Sequence, residues 1–295
     1  MPDIQLRFHH DMLVLSGPVH ASLEKQGIEV AGQLELLDLT EPESVEEALR
    51  LEHLAGAQCL LAPAADITQA RLAHQRLDEH ADQIAQTALG MAKRFRPQHV
   101  IAEINATGLP IDPTSRPSLT ANRDQYSDAV RAFGEDGVDA FFLNGMEGVD
   151  DVRCGCMGVR KASSLPLFCS VDVDAEGGLV GRGLAVERAI EVMEEYEANV
   201  VGIRTDAAPD AVAGIVRRIA SVTDLPVLVQ LVVEPEKSRL PRYSHESPYW
   251  HPDTMLQAAI QLRAAGAQFL RAVGNATPTY TGALVAATMG TSCVR

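Results

Sequence analysis

The chain has 295 residues, 40 of them acidic and 25 basic, giving a formal charge of −15, with 46% apolar and 22% charged residues. This apolar fraction excludes an intrinsically disordered chain, and the length suits one large barrel or two ordinary domains. So acidic a surface repels phosphate backbones, which argues against nucleic-acid binding.

Eight short apolar runs follow one another along the chain: MLVLSG (12–17), QCLLAPA (58–64), HVIAEIN (99–105), AFFLNG (140–145), PLFCSVDVD (166–174), NVVGIRTD (199–206), PVLVQLVV (226–233) and QFLRAVG (268–274). Such runs mark strands buried on both faces, as in a parallel sheet. Amphipathic segments lie between them and predict helices over 43–57, 68–95, 185–198, 209–223 and 252–267, with another opening at TYTGALV, where Thr279 or Thr281 would be the cap. The segment after the fourth run also reads as helix. Gly56, Gly137 and Gly266 stand between a helix and the next strand, the place of a left-handed helix end, and Asn199 takes the same place before the sixth strand.

Eight strand and helix units with no break in composition predict an α/β fold, a single (β/α)8 TIM barrel spanning residues 1–295. An open dinucleotide-binding sheet would carry a G-x-G-x-x-G turn after its first strand, and LSGPVHASL is not one. Two insertions, 109–122 and 234–252, follow the C-terminal ends of strands three and seven, where barrel enzymes build their sites.

The five cysteines (Cys59, Cys154, Cys156, Cys169, Cys293) are an odd set without disulfide-framework spacing, and no signal peptide opens the chain, so the expectation is reduced thiols in the cytoplasm. No stretch of about 18 apolar residues is present, so no membrane span is expected. Cys154 and Cys156 on one helix would point to nearly opposite sides, a poor chelate. Cys59 and Cys169 read as core residues, and Cys293 as part of a frayed end. His245 and His251, with His20, are the remaining metal candidates.

The order of segments resembles the homocysteine S-methyltransferase family over essentially the whole chain. The resemblance is carried by LVLSGPVHASLEKQGIE, LELLDLTEPESVEEALRLEHLAGAQCLLAPA, GVDAFFLNGMEGVDD, LPLFCSVDVDAEGGLVGRG, NVVGIRTDAAPDAV and AGAQFLRAVGNATP. It implies a barrel whose three cysteines, one after strand six and a pair after strand eight, hold zinc that activates the homocysteine thiol. Thr205, Asn275 and Ala276 stand at those three positions, so no cofactor and no metal ligand is expected. Ser16-Gly17 replaces the family's Asp-Gly, Asn144 replaces the Glu ending strand four, Arg204 replaces an Asn, Ala62-Pro63-Ala64 replaces Thr-Asn-Thr, and Ser170 is kept.

Arg204, at the end of strand six, would bind a carboxylate or phosphate, or pair with Asp172 or Asp206. Asp172 is a candidate acid or base alongside it. Ser16, Asn144, Ser170 and Asn275 are candidate substrate-binding residues, and Arg271 would point into the lumen near Glu103. Two functions follow as expectations. One is methyl transfer to a thiol, or related small-molecule chemistry, at the barrel mouth without zinc. The other is a non-catalytic relative that binds a small anionic ligand or a partner protein. A homo-oligomer is compatible with either.

Overall fold

The computed structural model describes residues 3–30, 33–180, 183–233 and 248–294. Each apolar run becomes a strand: β1 (Leu13–Val14), β2 (Cys59–Ala62), β3 (His99–Asn105), β4 (Ala140–Met146), β5 (Leu167–Asp172), β6 (Val200–Thr205), β7 (Val227–Val233) and β8 (Ala267–Gly274). All pair in parallel, in the order β1-β8-β7-β6-β5-β4-β3-β2. The ends of this sheet meet, because Leu15 bridges to Cys59 and the Ser16 N–H donates to the Cys59 carbonyl at 2.9 Å. The result is the expected (β/α)8 barrel. Its strands are buried without alternation because one face lines the lumen and the other meets helices.

The helices are α1 (His20–Lys25), α2 (Leu34–Thr40), α3 (Pro42–Leu54), α4 (Gln69–Gln75), α5 (Ala81–Arg94), α6 (Arg116–Phe133), α7 (Val149–Ala162), α8 (Val186–Glu195), α9 (Pro209–Ala220), α10 (Pro252–Ala265) and α11 (Pro278–Thr288). The pattern over 68–95 predicts one helix, but two form. Arg76 adopts φ 59° and the Leu77 N–H turns back to the Leu72 carbonyl, which ends α4 and buries Leu77. The second half of the 109–122 insertion is the start of α6, where Ser115 Oγ accepts from the Ser118 N–H at 3.4 Å.

Gly56, Gly137 and Gly266 do have positive φ, of 98°, 79° and 106°. Before β6 the left-handed residue is Glu197 (φ 64°), not Asn199. The Asn199 side chain instead anchors two neighbours, its Oδ1 accepting from the Leu167 N–H and from Arg160, both at 2.8 Å. Helix α11 starts one residue before Thr279, with Thr277 at its cap. Nor is Cys293 frayed, since its N–H donates to the His10 carbonyl at 2.9 Å and Ser292 bridges Asp11.

The lower lumen is apolar. Phe142, Phe168 and Phe269 fill it together with Leu13, Leu15 and Ile101, and Ile4 and Phe8 of the N-terminal turn close it from below. The Phe168 and Phe269 rings meet edge to face at 4.9 Å. Outside the barrel, α6 and α7 pack closely at Gly158, where an added Cβ would overlap the Arg123 carbonyl oxygen and lie 2.7 Å from Tyr126 Cβ. Two helix backbones and no flexible side chain end oppose it, so Gly158→Ala is expected to cost about 1–3 kcal/mol. Urea denaturation measures this, and an unchanged midpoint would show that the helices separate freely.

Candidate functional site at the barrel mouth

The upper lumen is polar, and it opens into a cavity of about 440 Å³ at the C-terminal ends of the strands. Catalytic barrels build their sites at this end, since loops of free sequence leave a fixed ring of strand ends there. Pro18, Val19, Val30, Leu34, Leu61 and Val273 make an apolar wall, while Asn105, Asn144, Arg204 and Arg271 line the polar side with His20, Glu24, Glu35, Asp66 and Glu103.

A buried network makes the floor. Arg271 of β8 donates from Nη1 and Nη2 to the two carboxylate oxygens of Glu103 on β3, at 2.6 and 2.9 Å. Its Nη1 also reaches Gln230 Oε1 at 3.1 Å and its Nε reaches the Ser16 carbonyl at 3.0 Å. Asn144 donates to Glu103 at 2.6 Å and accepts from Ser170 (3.0 Å) and Gln230 (2.7 Å). The expected approach of Arg271 to Glu103 is therefore present, as a bidentate pair with side chains only 4% and 8% exposed. Asn144 and Ser170 come together as part of this floor.

Arg204 sits above the floor, in register with Asp172 on β5. Its Nη2 donates to Asp172 Oδ2 at 2.6 Å, and its side chain is 40% exposed. Of the pairings open in the sequence, Asp172 is the partner. The other oxygen, Asp172 Oδ1, is buried without a partner in the described structure. Asp174 faces away from this pair into its own turn, accepting from the Glu176 and Gly178 N–H groups.

The remaining sequence candidates are more dispersed. Ser16 is buried beside the floor, where its Oγ accepts from the Leu61 N–H at 3.0 Å. Asn275 lies outside the cavity lining, its N–H donating to the Val233 carbonyl at 3.0 Å. Thr205 is buried and its Oγ1 accepts from the Ala207 N–H, while Ala276 is buried and offers only a methyl group. His251 is exposed at the cap of α10, and His245 lies outside the described residues. Among the described residues no group of three His, Cys, Asp or Glu side chains could hold a metal ion. Cys59, Cys154, Cys156 and Cys169 are all buried as free thiols, and burial pushes the Cys59, Cys154 and Cys169 thiols up.

Several site-building acids are not apparent from the sequence. Glu35 of α2 is 2% exposed, its oxygens accepting from the Asp66 N–H (2.9 Å) and Gln75 (3.0 Å), and burial with the Asp66 charge raises its carboxyl. Glu52 of α3 is fully buried and accepts from the Gly17 N–H (2.8 Å) and Thr281 Oγ1 (2.6 Å), which fixes the turn after β1 against α11. Burial raises its carboxyl too. Both residues sit in acidic helix segments that resemble solvated faces. Gln230 had a signal, since it alone is polar in PVLVQLVV.

The homocysteine S-methyltransferase family model matches residues 13–286. Among solved structures, the metallated and oxidized forms of the homocysteine methyltransferase MmuM from Escherichia coli align with TM-scores of 0.73 and 0.75. Each is 19% identical and the alignment covers 94% of this chain and 96% of that one. The carboxyl transferase domain of Rhizobium etli pyruvate carboxylase aligns at TM-score 0.55 and 13% identity, over 98% of this chain and 45% of the other. These structural likenesses, all below one fifth identity, show a shared barrel. No curated protein matches the sequence. With the family model spanning nearly the whole barrel, the chain belongs to the homocysteine S-methyltransferase family.

Proposed function

We propose that this barrel binds a small carboxylate-bearing metabolite at its mouth and methylates a thiol on it, or carries out related chemistry, without a thiolate-held zinc. One observation carries the reading: Arg204 stands at a strand end in the cavity, half-exposed, with a single ion-pair partner among the described residues. A guanidinium can hold Asp172 on one edge and offer a second pair of donors to a ligand carboxylate. The donor set does not fit zinc, since a hydroxyl, an amide and a methyl group replace the family's three sulfurs at Thr205, Asn275 and Ala276. Arg204 would orient the ligand, and Asp172, whose Oδ2 accepts from Arg204 Nη2, would hold the guanidinium in place.

A second reading, a non-catalytic relative that binds a small anion, draws on the floor. There Asn144, Ser170, Gln230, Glu103 and Arg271 already bond to one another. The acidic charge of −15 supports a small molecule over a nucleic acid in either case, and no described helix is long and apolar enough to cross a membrane. The buried thiols of Cys59, Cys154, Cys156 and Cys169 support a reducing, cytoplasmic setting.

A panel of small carboxylates should raise the melting temperature of the wild type, by about 2.7 kcal/mol of stabilisation at a hundredfold excess over Kd. Arg204→Ala is expected to weaken the active ligand at least about tenfold, in line with the loss of a charged hydrogen-bonding group. Equal shifts in both proteins would remove Arg204 from the site. Homocysteine with S-methylmethionine or betaine then separates turnover from binding alone, and stoichiometric zinc in the purified protein would overturn the zinc-free reading.

A further inference from the structure

We propose that His20 is the proton acceptor of the mouth, taking the proton of a ligand thiol as the sulfur attacks a methyl group. This rests on the thiol chemistry proposed above and assigns the activation of the thiol to this chain's own imidazole. His20 opens α1, is half-buried, and lines the same cavity as Arg204. Gly274, at the end of β8, lines the same cavity, and a neutral imidazole keeps one ring nitrogen as an acceptor.

The competing bases of the described cavity are occupied or weak. Glu103 has both oxygens on Arg271, and Glu35 has both on the Asp66 N–H and Gln75. Asp66 accepts from Asn105 at 2.8 Å and lies 3.8 Å from Arg71. Glu24 is exposed, and an ordinary carboxylate is a poor acceptor for a thiol proton.

The groups facing His20 are Glu24 on its own helix and Arg271 on β8, the latter paired with Glu103 of β3; Glu35 and Asp66 line the same cavity. Burial, the largest effect, holds the ring below its ordinary value and so neutral at pH 7; the Glu24 charge and then the Gly274 backbone pull the other way, and the Arg271 charge adds to burial. In the step, the S–H bond breaks and its proton goes to the free ring nitrogen. The sulfur pair forms the S–C bond to the methyl carbon, and the carbon–heteroatom pair leaves with a sulfonium or quaternary ammonium donor, which departs neutral.

The test compares homocysteine with methionine, which differ at sulfur by S–H against S–CH3, by calorimetry on the wild type, His20→Leu, His20→Gln and Arg204→Ala. The wild type is expected to favour homocysteine about fivefold at pH 7.5, the worth of one hydrogen bond. His20→Leu should bind both acids equally, and His20→Gln, which keeps an acceptor, should recover part of the preference. Lowering the pH until the imidazole charges, below the ordinary histidine range, should erase the preference in the wild type and leave it in His20→Gln. Arg204→Ala should weaken both acids by one common factor. A preference that survives in His20→Leu, or none in the wild type, overturns the assignment. Binding of other carboxylates without homocysteine would also defeat it while leaving the Arg204 reading in place. An Arg204→Ala protein that binds normally would defeat the Arg204 reading alone.

Discussion

Arg271→Ala is expected to destabilise the protein by about 3–5 kcal/mol, because it strands Glu103 as an uncompensated charge in the barrel lumen. The two side chains are nearly sealed from water, and the carboxylate loses two charged donors at 2.6 and 2.9 Å while keeping only Asn144. Glu103→Ala should cost a similar amount, since it leaves the guanidinium on Gln230 Oε1 and the Ser16 carbonyl, neither of which cancels its charge. The joint variant Glu103→Leu with Arg271→Met is expected to lose much less than the sum of the two single changes, because an apolar pair needs no desolvation. Guanidinium unfolding of the wild type, Glu103→Leu, Arg271→Met and the joint variant gives the coupling directly. Additive losses would show that the two charges do not depend on each other and that water reaches the lumen.

Asp38→Asn should become increasingly stabilising as pH rises, by about 4 kcal/mol between pH 5 and pH 8. Asp38 lies on α2, 1% exposed, with neither carboxylate oxygen partnered among the described residues and with Glu35 one turn away. Burial, and then the Glu35 charge, pushes its carboxyl up to about 9. Below about pH 4 both the folded protein and the unfolded chain carry the proton, and no penalty applies. Between about pH 4 and pH 9 the unfolded chain releases the proton while the folded protein keeps it, so wild-type stability falls with rising pH. Above that range the penalty is complete. The amide cannot ionise, and its own burial cost is independent of pH, so the change in the difference isolates the carboxyl. Urea midpoints at the two pH values measure it, and a constant difference would mean that Asp38 is ionised or reached by solvent.

The barrel was legible because its strands are runs of Val, Ile, Leu and Phe that no solvent face interrupts, and because glycine at 56, 137 and 266 marks the return to the sheet. Helix α2 is not legible, since LELLDLT is short and its two acids look like surface residues while both are buried. The split at Arg76 has no sequence signal because the apolar spacing of 68–95 continues across it, and only the left-handed residue and the returning Leu77 bond mark it.

At the mouth, the nearness of Arg271 to Glu103 could be anticipated from a charged residue inside each of two apolar strands. The choice of Asp172 over Asp206 as the partner of Arg204 could not, because it depends on the register of β5 against β6. The Glu52 contacts to Gly17 and Thr281 join segments 35 and 229 residues apart, a relation carried by no local pattern.

The seam of the barrel has a consequence for synthesis on the ribosome. The first strand pairs with the last, and the Arg271 bond to the Ser16 carbonyl spans 255 residues. Until β8 emerges, the nascent polypeptide holds an unclosed curl with raw borders at β1 and β7, and the lumen carboxylate of Glu103 waits without its counterion. Premature termination upstream of residue 267 therefore yields a sticky fragment and no smaller working barrel, and chaperone demand should peak in the interval before the final strand is made.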